Sequence, residues 1–305
     1  MNTEQREQLK SKILKIYKEA ESRTGRFDRL VKEPLKSIPF FCKQIVARIK
    51  PFKVKHKTLW GDTMSFYLPE GNAISYYGYY EADLTNFLTN ILNDGDVFFD
   101  IGTHVGFYTV LASRLTSPTG SVHGFEPTPR TFKTLSENTS KLQNVTINNV
   151  AVLDKETEID FIDYGPRHSA FNTYKDRTGE GMKFLDKAEH VKVKTISLDK
   201  YCKEKSTYPT VVKIDAEGAE HLILQSMNEI LSTAKPIVTI EVGGGVEWQS
   251  NCKKSIDFLL DKGYRCFETT IEGNIKPHEP KELYSYDNLI FAHPDKLTRL
   301  EKYII

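Results

Sequence analysis

The stretch from Asp96 to Phe107, DVFFDIGTHVGF, constrains this chain more than any other. Val97, Phe98, Phe99 and Ile101 form a short apolar run rich in β-branched and aromatic residues, the composition of a strand buried on both faces. Asp100 lies at its end, and Gly102 and Gly106 follow. Gly102 has no Cβ, so the backbone can turn sharply there and approach another group closely. From Gly106 onward Phe107, Val110, Leu111 and Leu115 fall on one side of a predicted helix. Strand, glycine turn and helix together build a nucleotide-type site at the carboxyl edge of a parallel sheet.

The glycine count separates the possible ligands. A dinucleotide fingerprint needs G-x-G-x-x-G, so that a pyrophosphate can sit on the helix N-terminus. Here the run is D-I-G-T-H-V-G, with an acid before the first glycine and no third glycine. That acid repels a pyrophosphate and attracts an ammonium. S-adenosylmethionine carries an ammonium and a sulfonium and no phosphate, and is the expected cofactor. A second predicted strand, Ser121–Phe125, ends in Glu126, where a carboxylate can accept both ribose hydroxyls.

The chain has 305 residues, 39% hydrophobic and 27% charged, which suits a soluble α/β domain plus an appendage. No apolar run approaches the ~20 residues of a membrane span. The polar start MNTEQREQLK is no signal peptide, so the expected location is the cytoplasm. Cys42, Cys202, Cys252 and Cys266 show no C-x-x-C spacing and are expected as reduced thiols. The net charge of +1 hides an asymmetry: residues 1–57 hold 16 Lys/Arg and 6 Asp/Glu, and the remainder is acidic. The basic arm suits an anionic surface such as lipid, a phosphorylated substrate or nucleic acid.

Residues 1–80 are predicted as a basic, mainly helical extension and residues 81–305 as the main domain. Within the extension Phe41, Ile45 and Ile49 recur every four residues beside Lys43, Arg48 and Lys50. The expected reading is a helix whose stripe packs on its own protein, the alternative being a helix peripheral to a membrane. Leu59–Leu68 is a strand or hairpin. After Glu126 come a helix over Pro127–Leu142 and a third strand, Val145–Val150, extended by Ala151 and Val152. Asp163–His190 reads as a substrate-side insertion carrying Arg167 and His168. Thr210–Ile214 is the fourth strand, with Asp215 and Glu217 where it meets a helix running to about Leu231. Pro236–Ile240, ending in Glu241, is the fifth. Tyr264–Glu268 and Asn288–Ala292 complete seven strands in a doubly wound, mostly parallel sheet with an antiparallel edge strand.

The chain resembles the FkbM-type S-adenosylmethionine-dependent methyltransferases through YYEADL, DVFFDIGTHVGFYT, GFEPTPRTFKTLSENT, NNVAV, VVKIDAEGAEHLIL, IVTIEV and DNLIFAHP. These stretches cover roughly residues 78–294. The resemblance implies a Rossmann-like class I methyltransferase fold and methylation of hydroxyls on sugars, glycans or secondary metabolites. It implies a donor site made by Glu81, Asp100, Gly102, Thr103, His104, Gly106 and Glu126, with Asn149 and Ala151 beside the adenine. Asp215, Glu217 and Glu241 would face the acceptor.

Methyl transfer is an in-line displacement on a neutral hydroxyl, so alignment and a positioned base both matter. Asp215 is the first candidate for base or hydroxyl orienter, followed by Glu217 and His221, and Asp215 also borders the cofactor. Glu220 and His221 are expected on the helix surface. In the alternative role Asp215 and Glu241 share a divalent metal. Two other functions stand beside the small-molecule or glycan O-methyltransferase. One is a nucleic-acid methyltransferase that uses the basic arm as a phosphate track. The other is a non-catalytic donor-binding protein. No N-P-P-Y-like turn follows the fourth strand, which counts against the first, and three acids at strand ends count against the second.

Overall fold

The structure is a computed structural model, and it describes residues 1–22, 26–174, 188–243, 246–284 and 287–305. In chain order come α1 (Thr3–Glu21), α2 (Arg26–Lys32), α3 (Pro34–Ile49), β1 (Phe52–Lys57), β2 (Thr63–Leu68), α4 (Asn72–Tyr77) and α5 (Ala82–Ile91). Next are β3 (Val97–Ile101), α6 (Phe107–Thr116), β4 (Ser121–Phe125), α7 (Pro129–Thr139), β5 (Val145–Asn148), β6 (Ala151–Val152), β7 (Glu158–Asp163) and β8 (Glu189–Ile196). The chain continues with α8 (Leu198–Lys205), β9 (Val211–Ile214), α9 (Glu220–Ser226), α10 (Asn228–Thr233) and β10 (Ile237–Val242). The last elements are α11 (Val246–Asp261), β11 (Arg265–Thr269), β12 (Ile275–Pro277) and β13 (Asp287–Ala292).

The main sheet has the order β12-β11-β13-β10-β9-β3-β4-β5. β3 pairs in parallel with β4 on one side and β9 on the other, and β9 pairs in parallel with β10. The order therefore reverses at β3, and a crevice opens above the carboxyl ends of β3, β4 and β9. Phe98 and Phe99 are fully buried on opposite faces of β3, as a central parallel strand requires. The sheet has eight strands where seven were expected. The last strand, β13, is antiparallel to both β10 and β11 and lies between them, two positions in from the edge of the sheet. The edge itself is the three-residue β12, antiparallel to β11.

Ala151 and Val152 do not extend the third strand. They form β6, which pairs in parallel with Thr195 and Ile196 of β8 in a separate sheet of order β6-β8-β7. The cause lies at Asn149, whose amide donates to the carbonyls of Glu126 (2.8 Å) and Pro127 (2.9 Å) and turns the chain away from β4. The helix predicted to reach Leu231 is two helices. α9 stops at Ser226, and Asp199 accepts the Glu229 and Ile230 amides, both at 2.9 Å, at the start of α10.

The N-terminal elements join the same core. Leu9 and Ile13 of α1 pack in one cluster with Phe87 and Leu88 of α5 and with Phe98 of β3. Arg6 donates to the carbonyls of Thr89 (2.9 Å), Leu92 (2.5 Å) and Leu115 (2.8 Å), so one guanidinium serves the C-terminal ends of α5 and α6. β1 and β2 form an antiparallel hairpin. Asn138 of α7 pins it: the side chain bonds both the N–H and the C=O of Ser65, and also the carbonyl of Val105.

The α3 stripe does not pack on the protein. Phe41 is half-buried, while Ile45 is 63% and Ile49 82% exposed; the inward side carries Ser37 and Ala47. Among the described residues no helix is long and apolar enough to cross a membrane. Of the predicted insertion Asp163–His190, residues 175–187 lie outside the described residues.

Candidate active site

The turn after β3 owes its glycine to a close approach of two loops. Gly102 has φ +76°, and a Cβ there would come 1.7 Å from the carbonyl oxygen of Asp215, so no side chain fits. The turn thereby fastens the ends of β3 and β9 together. Gly106, at φ +91°, precedes α6, and a Cβ there would press on Leu135. Thr103 is buried; its hydroxyl donates to the Asp100 carbonyl (2.7 Å) and accepts the Phe125 amide (3.2 Å). Glu126 takes the amides of His104 (3.0 Å) and Thr128 (2.9 Å). Burial raises the Glu126 pKa, and His104 and these amides oppose the rise.

A cavity of about 340 Å³ lies beside this turn. It reaches from Glu126 and the apolar residues Phe125, Val152 and Leu153 to Asp215, Glu217 and Glu241. At the acidic end Lys213 of β9 is fully buried. Its ammonium is 3.0 Å from Asp215, 3.9 Å from Asp100, and above the Tyr108 ring at 5.2 Å. Burial works against that charge, but Asp215, Asp100 and Glu81 together hold the lysine pKa above its ordinary value. The Asp215 and Glu241 carboxyls are linked through a hydrogen bond. Asp215, facing Lys213, keeps its charge in spite of burial. The Asp215 charge, then burial, drives the Glu241 pKa up, so Glu241 carries the proton.

Asp100 is buried under the turn. Its Oδ2 accepts from the Thr109 hydroxyl at 2.6 Å, and its Oδ1 has no hydrogen-bond partner among the described residues. Glu81 starts α5 at φ +37° and accepts from the Tyr108 hydroxyl (2.6 Å) and the Asn288 amide (3.2 Å). Burial raises the pKa of both acids.

A third wall comes from outside the sheet. The Ser169 hydroxyl and the Ala170 amide donate to Glu70, which lies between β2 and α4. The His104 Nε2 is 2.7 Å from the Ser169 Oγ and 3.4 Å from Glu70. Burial disfavours the imidazolium, but Glu70, then Glu126 and Asp215, hold its pKa above the ordinary histidine value.

Among the residues expected at the site, Gly102, Thr103, His104, Glu126, Ala151, Asp215, Glu217 and Glu241 line the cavity. Glu81, Asp100 and Gly106 stand behind its wall, and Asn149 is exposed and committed to the carbonyls that turn the chain. Glu220 is buried, where a surface position was expected. It accepts the amides of Gly218 (3.0 Å) and Ala216 (3.2 Å), which ties the loop carrying Glu217. His221 packs against Phe258 of α11, away from the cavity. Arg167 reaches the Arg48 carbonyl at 2.6 Å, and the adjoining Ser169–Asn172, rather than Arg167 or His168, line the cavity. Lys213, Tyr108, Glu70 and Ser169 were missed. Lys213 had a signal, a lone cation inside the apolar run VVKI; Glu70 and Ser169 had none, because only the tertiary fold brings them together. Among the described residues no group of three or more His, Cys, Asp or Glu has the arrangement of a metal site.

The profile of the methyltransferase FkbM domain matches residues 100–266, more than half of the chain. The hexuronic acid methyltransferase AglP of Haloferax volcanii is 29% identical over 169 residues, which are 55% of this chain and 64% of that protein. The chain thus spans less than two thirds of that relative. Methyltransferase FkbM from Methylobacillus flagellatus superposes with a TM-score of 0.42 at 14% identity, over 66% of this chain and 44% of its own. Aeropyrum pernix fibrillarin with bound S-adenosyl-L-methionine superposes with a TM-score of 0.41 at 11% identity, over 68% of this chain and 73% of its own. The matched residues run from Asp100 through β9 and β10 to Cys266 and take in the glycine turn, Glu126 and the Asp215–Glu241 pair, so this chain belongs to the FkbM methyltransferase family.

Proposed function

We propose that this protein transfers a methyl group from S-adenosylmethionine to a hydroxyl of a sugar or glycan. The observation that carries the reading is the cavity at the reversal of strand order, with a ribose-type acid at one end and a lysine-braced acid pair at the other. Bound S-adenosylmethionine would supply an electrophilic methyl. Glu126 would accept its ribose hydroxyls, and Phe125, Val152 and Leu153 would flank its adenine. The acids around Asp215 would favour its ammonium and sulfonium, since the only buried cation lining the described cavity is Lys213.

Asp215 is charged and already braced by Lys213 and by the protonated Glu241. Such a carboxylate is a weak base and a strong hydrogen-bond acceptor. It would orient an acceptor hydroxyl and take up its proton as the new O–C bond forms, when that proton becomes acidic. A divalent cation would have to displace the Glu241 proton and compete with Lys213, so the protein's own charges already do what a metal would do at this pair. The Haloferax volcanii relative is a hexuronic acid methyltransferase, and that acceptor supports the sugar class.

We also keep residues 81–305 as the methyltransferase domain and residues 1–80 as its extension. The test is calorimetric titration with S-adenosylmethionine, then transfer of a labelled methyl to a panel of hexoses, hexuronates and their glycosides. Donor binding with label on a sugar hydroxyl is expected. A folded protein that binds no donor overturns the reading, and so does label transferred to RNA but to none of the sugars.

A further inference from the structure

Helix α3 is packed with its apolar side outward. Ser37 and Ala47 are fully buried, while Leu35 is 93%, Ile38 52% and Val46 55% exposed, along with Ile45 and Ile49. Six of the eleven exposed large hydrophobic residues in the described chain lie between Val31 and Ile49. At the helical repeat Leu35, Ile38, Cys42, Ile45, Val46 and Ile49 fall within an arc of about 100°. Scattered apolar residues on a surface need no explanation, but a ribbon of this kind does.

Its border is basic. Lys36, Lys43 and Lys50 are exposed and spaced by seven residues, so they line one edge of the ribbon over about 21 Å. Lys36 also sits above the Tyr76 ring at 4.4 Å and 4.0 Å from Glu33. Arg48 is exposed on the other side. Between Glu33 and Asp62 the chain has no acid and seven Lys or Arg. A straight row of cations beside an aliphatic strip is complementary to a flat anionic layer with hydrocarbon beneath it.

The helix is fastened to the cavity walls at both ends. The Ser37 hydroxyl is 2.9 Å from that of Tyr76 in α4, the helix whose Ala73 and Ile74 line the cavity. At the other end Arg167, beside the lining residues Ser169–Asn172, reaches the Arg48 carbonyl.

We propose that α3 docks this protein on the surface of an anionic bilayer, with its aliphatic ribbon in the headgroup–acyl boundary and its lysines on the lipid phosphates. Docking would hold the cavity next to the membrane, where a lipid-borne acceptor could be presented. The inference concerns a surface and does not depend on which acceptor is methylated.

The test is co-sedimentation of the full chain with vesicles of phosphatidylcholine alone and with phosphatidylglycerol added, at low and high salt. Binding is expected only to the anionic vesicles and should weaken with salt. Lys36→Gln/Lys43→Gln/Lys50→Gln should lower partitioning about 100-fold, at about fivefold per lysine. Ile38→Ser/Ile45→Ser/Ile49→Ser should remove it. All six side chains are exposed, and the lysine variant gives up only the Lys36 contacts to Tyr76 and Glu33, so both variants should still melt cooperatively and bind donor like the wild type, which separates lost docking from lost folding. The proposal is overturned if the wild type stays in the supernatant with anionic vesicles at low salt, or if both variants sediment like it. A dimer that the isoleucine variant dissolves, without vesicle binding, would assign the face to a second copy and overturn it as well.

Discussion

Lys213, Asp215 and Glu241 form a unit in which each charge depends on the others. Asp215→Asn removes the carboxylate that braces Lys213 and holds the Glu241 proton, so its effect should fall on chemistry. Turnover should drop by about 10²-fold or more, with donor affinity nearly unchanged in calorimetry. Near-normal turnover would leave Asp215 with a purely structural place at the end of β9. The Glu241 pKa shift gives a second prediction. A carboxyl whose pKa is raised on folding takes up a proton when the chain folds, at pH values between its unfolded and folded pKa. Its favourable contribution is complete below the ordinary glutamate range, about pH 4.3, and is lost as pH rises through neutral toward the folded value. Glu241→Gln mimics the protonated side chain and has nothing to titrate. The slope of stability against pH above about pH 5 should therefore be shallower in the variant, by up to about 1.4 kcal/mol per pH unit for one proton. Urea unfolding of both proteins across that range measures it, and identical slopes would show that Glu241 does not hold the proton.

At the scale of elements, the third wall is the arrangement to test, because it joins the segment between β2 and α4, the turn after β3 and the segment after β7 through Glu70, His104 and Ser169. Glu70→Gln should lower the His104 pKa from above the ordinary value of about 6.5 to below it, since the main cause that raises it is gone and burial remains. A histidine titration followed by NMR reads this directly. If the wall faces the acceptor, acceptor KM should rise about tenfold while donor affinity holds. Part of this wall was legible in the sequence: His104 lies in the D-I-G-T-H-V-G turn, and the segment of Ser169 was expected beside the substrate, but that Glu70 joins them was not, because the three residues are far apart in the chain. The elements that were legible have strong local signals. β3 and β4 coincide with their predicted limits because each is closed by a strong local marker, Gly102 after VFFDI and Glu126-Pro127 after SVHGF. β6 was misassigned because a two-residue strand has no period, and its sheet is decided by Asn149. β13 was read as an edge strand because sequence order does not say into which gap a returning strand inserts. For α3 the helical period was legible and its orientation was not. A hydrophobic stripe marks a side of a helix, and only packing decides whether that side turns in; here Ser37 and Ala47 take the inside.

At the scale of the molecule, the extension and the sheet form one hydrophobic core. Leu9, Ile13 and Ala47 share a cluster with Met64, Phe66, Phe87, Phe98 and Leu111, so the basic arm is part of the fold as well as a charged surface. A chain beginning at residue 58 would lose three of these side chains and the whole of β1. The loss of β1 would leave the backbone of β2 without its hairpin partner. Losing α1 would strip the Arg6 donor from the carbonyls of Thr89, Leu92 and Leu115. Each buried carbonyl left unpaired costs about 1–3 kcal/mol, and each large side chain lost from the core costs about 2–5 kcal/mol. Summed over these groups the loss is comparable to the whole stability of an ordinary domain, about 5–15 kcal/mol. The truncated chain is therefore expected to show no cooperative melting transition, whereas Arg6→Ala alone should melt cooperatively at a lower temperature. Saturation with S-adenosylhomocysteine at about 100 times its Kd should return about 2.7 kcal/mol to the Arg6→Ala protein, because the ligand binds only the folded state. Scanning calorimetry of the full chain, Arg6→Ala and the truncation, each with and without that ligand, decides the matter. A truncation that melts cooperatively within a few degrees of the full chain and is stabilised equally by the ligand would show that residues 58–305 fold without residues 1–57.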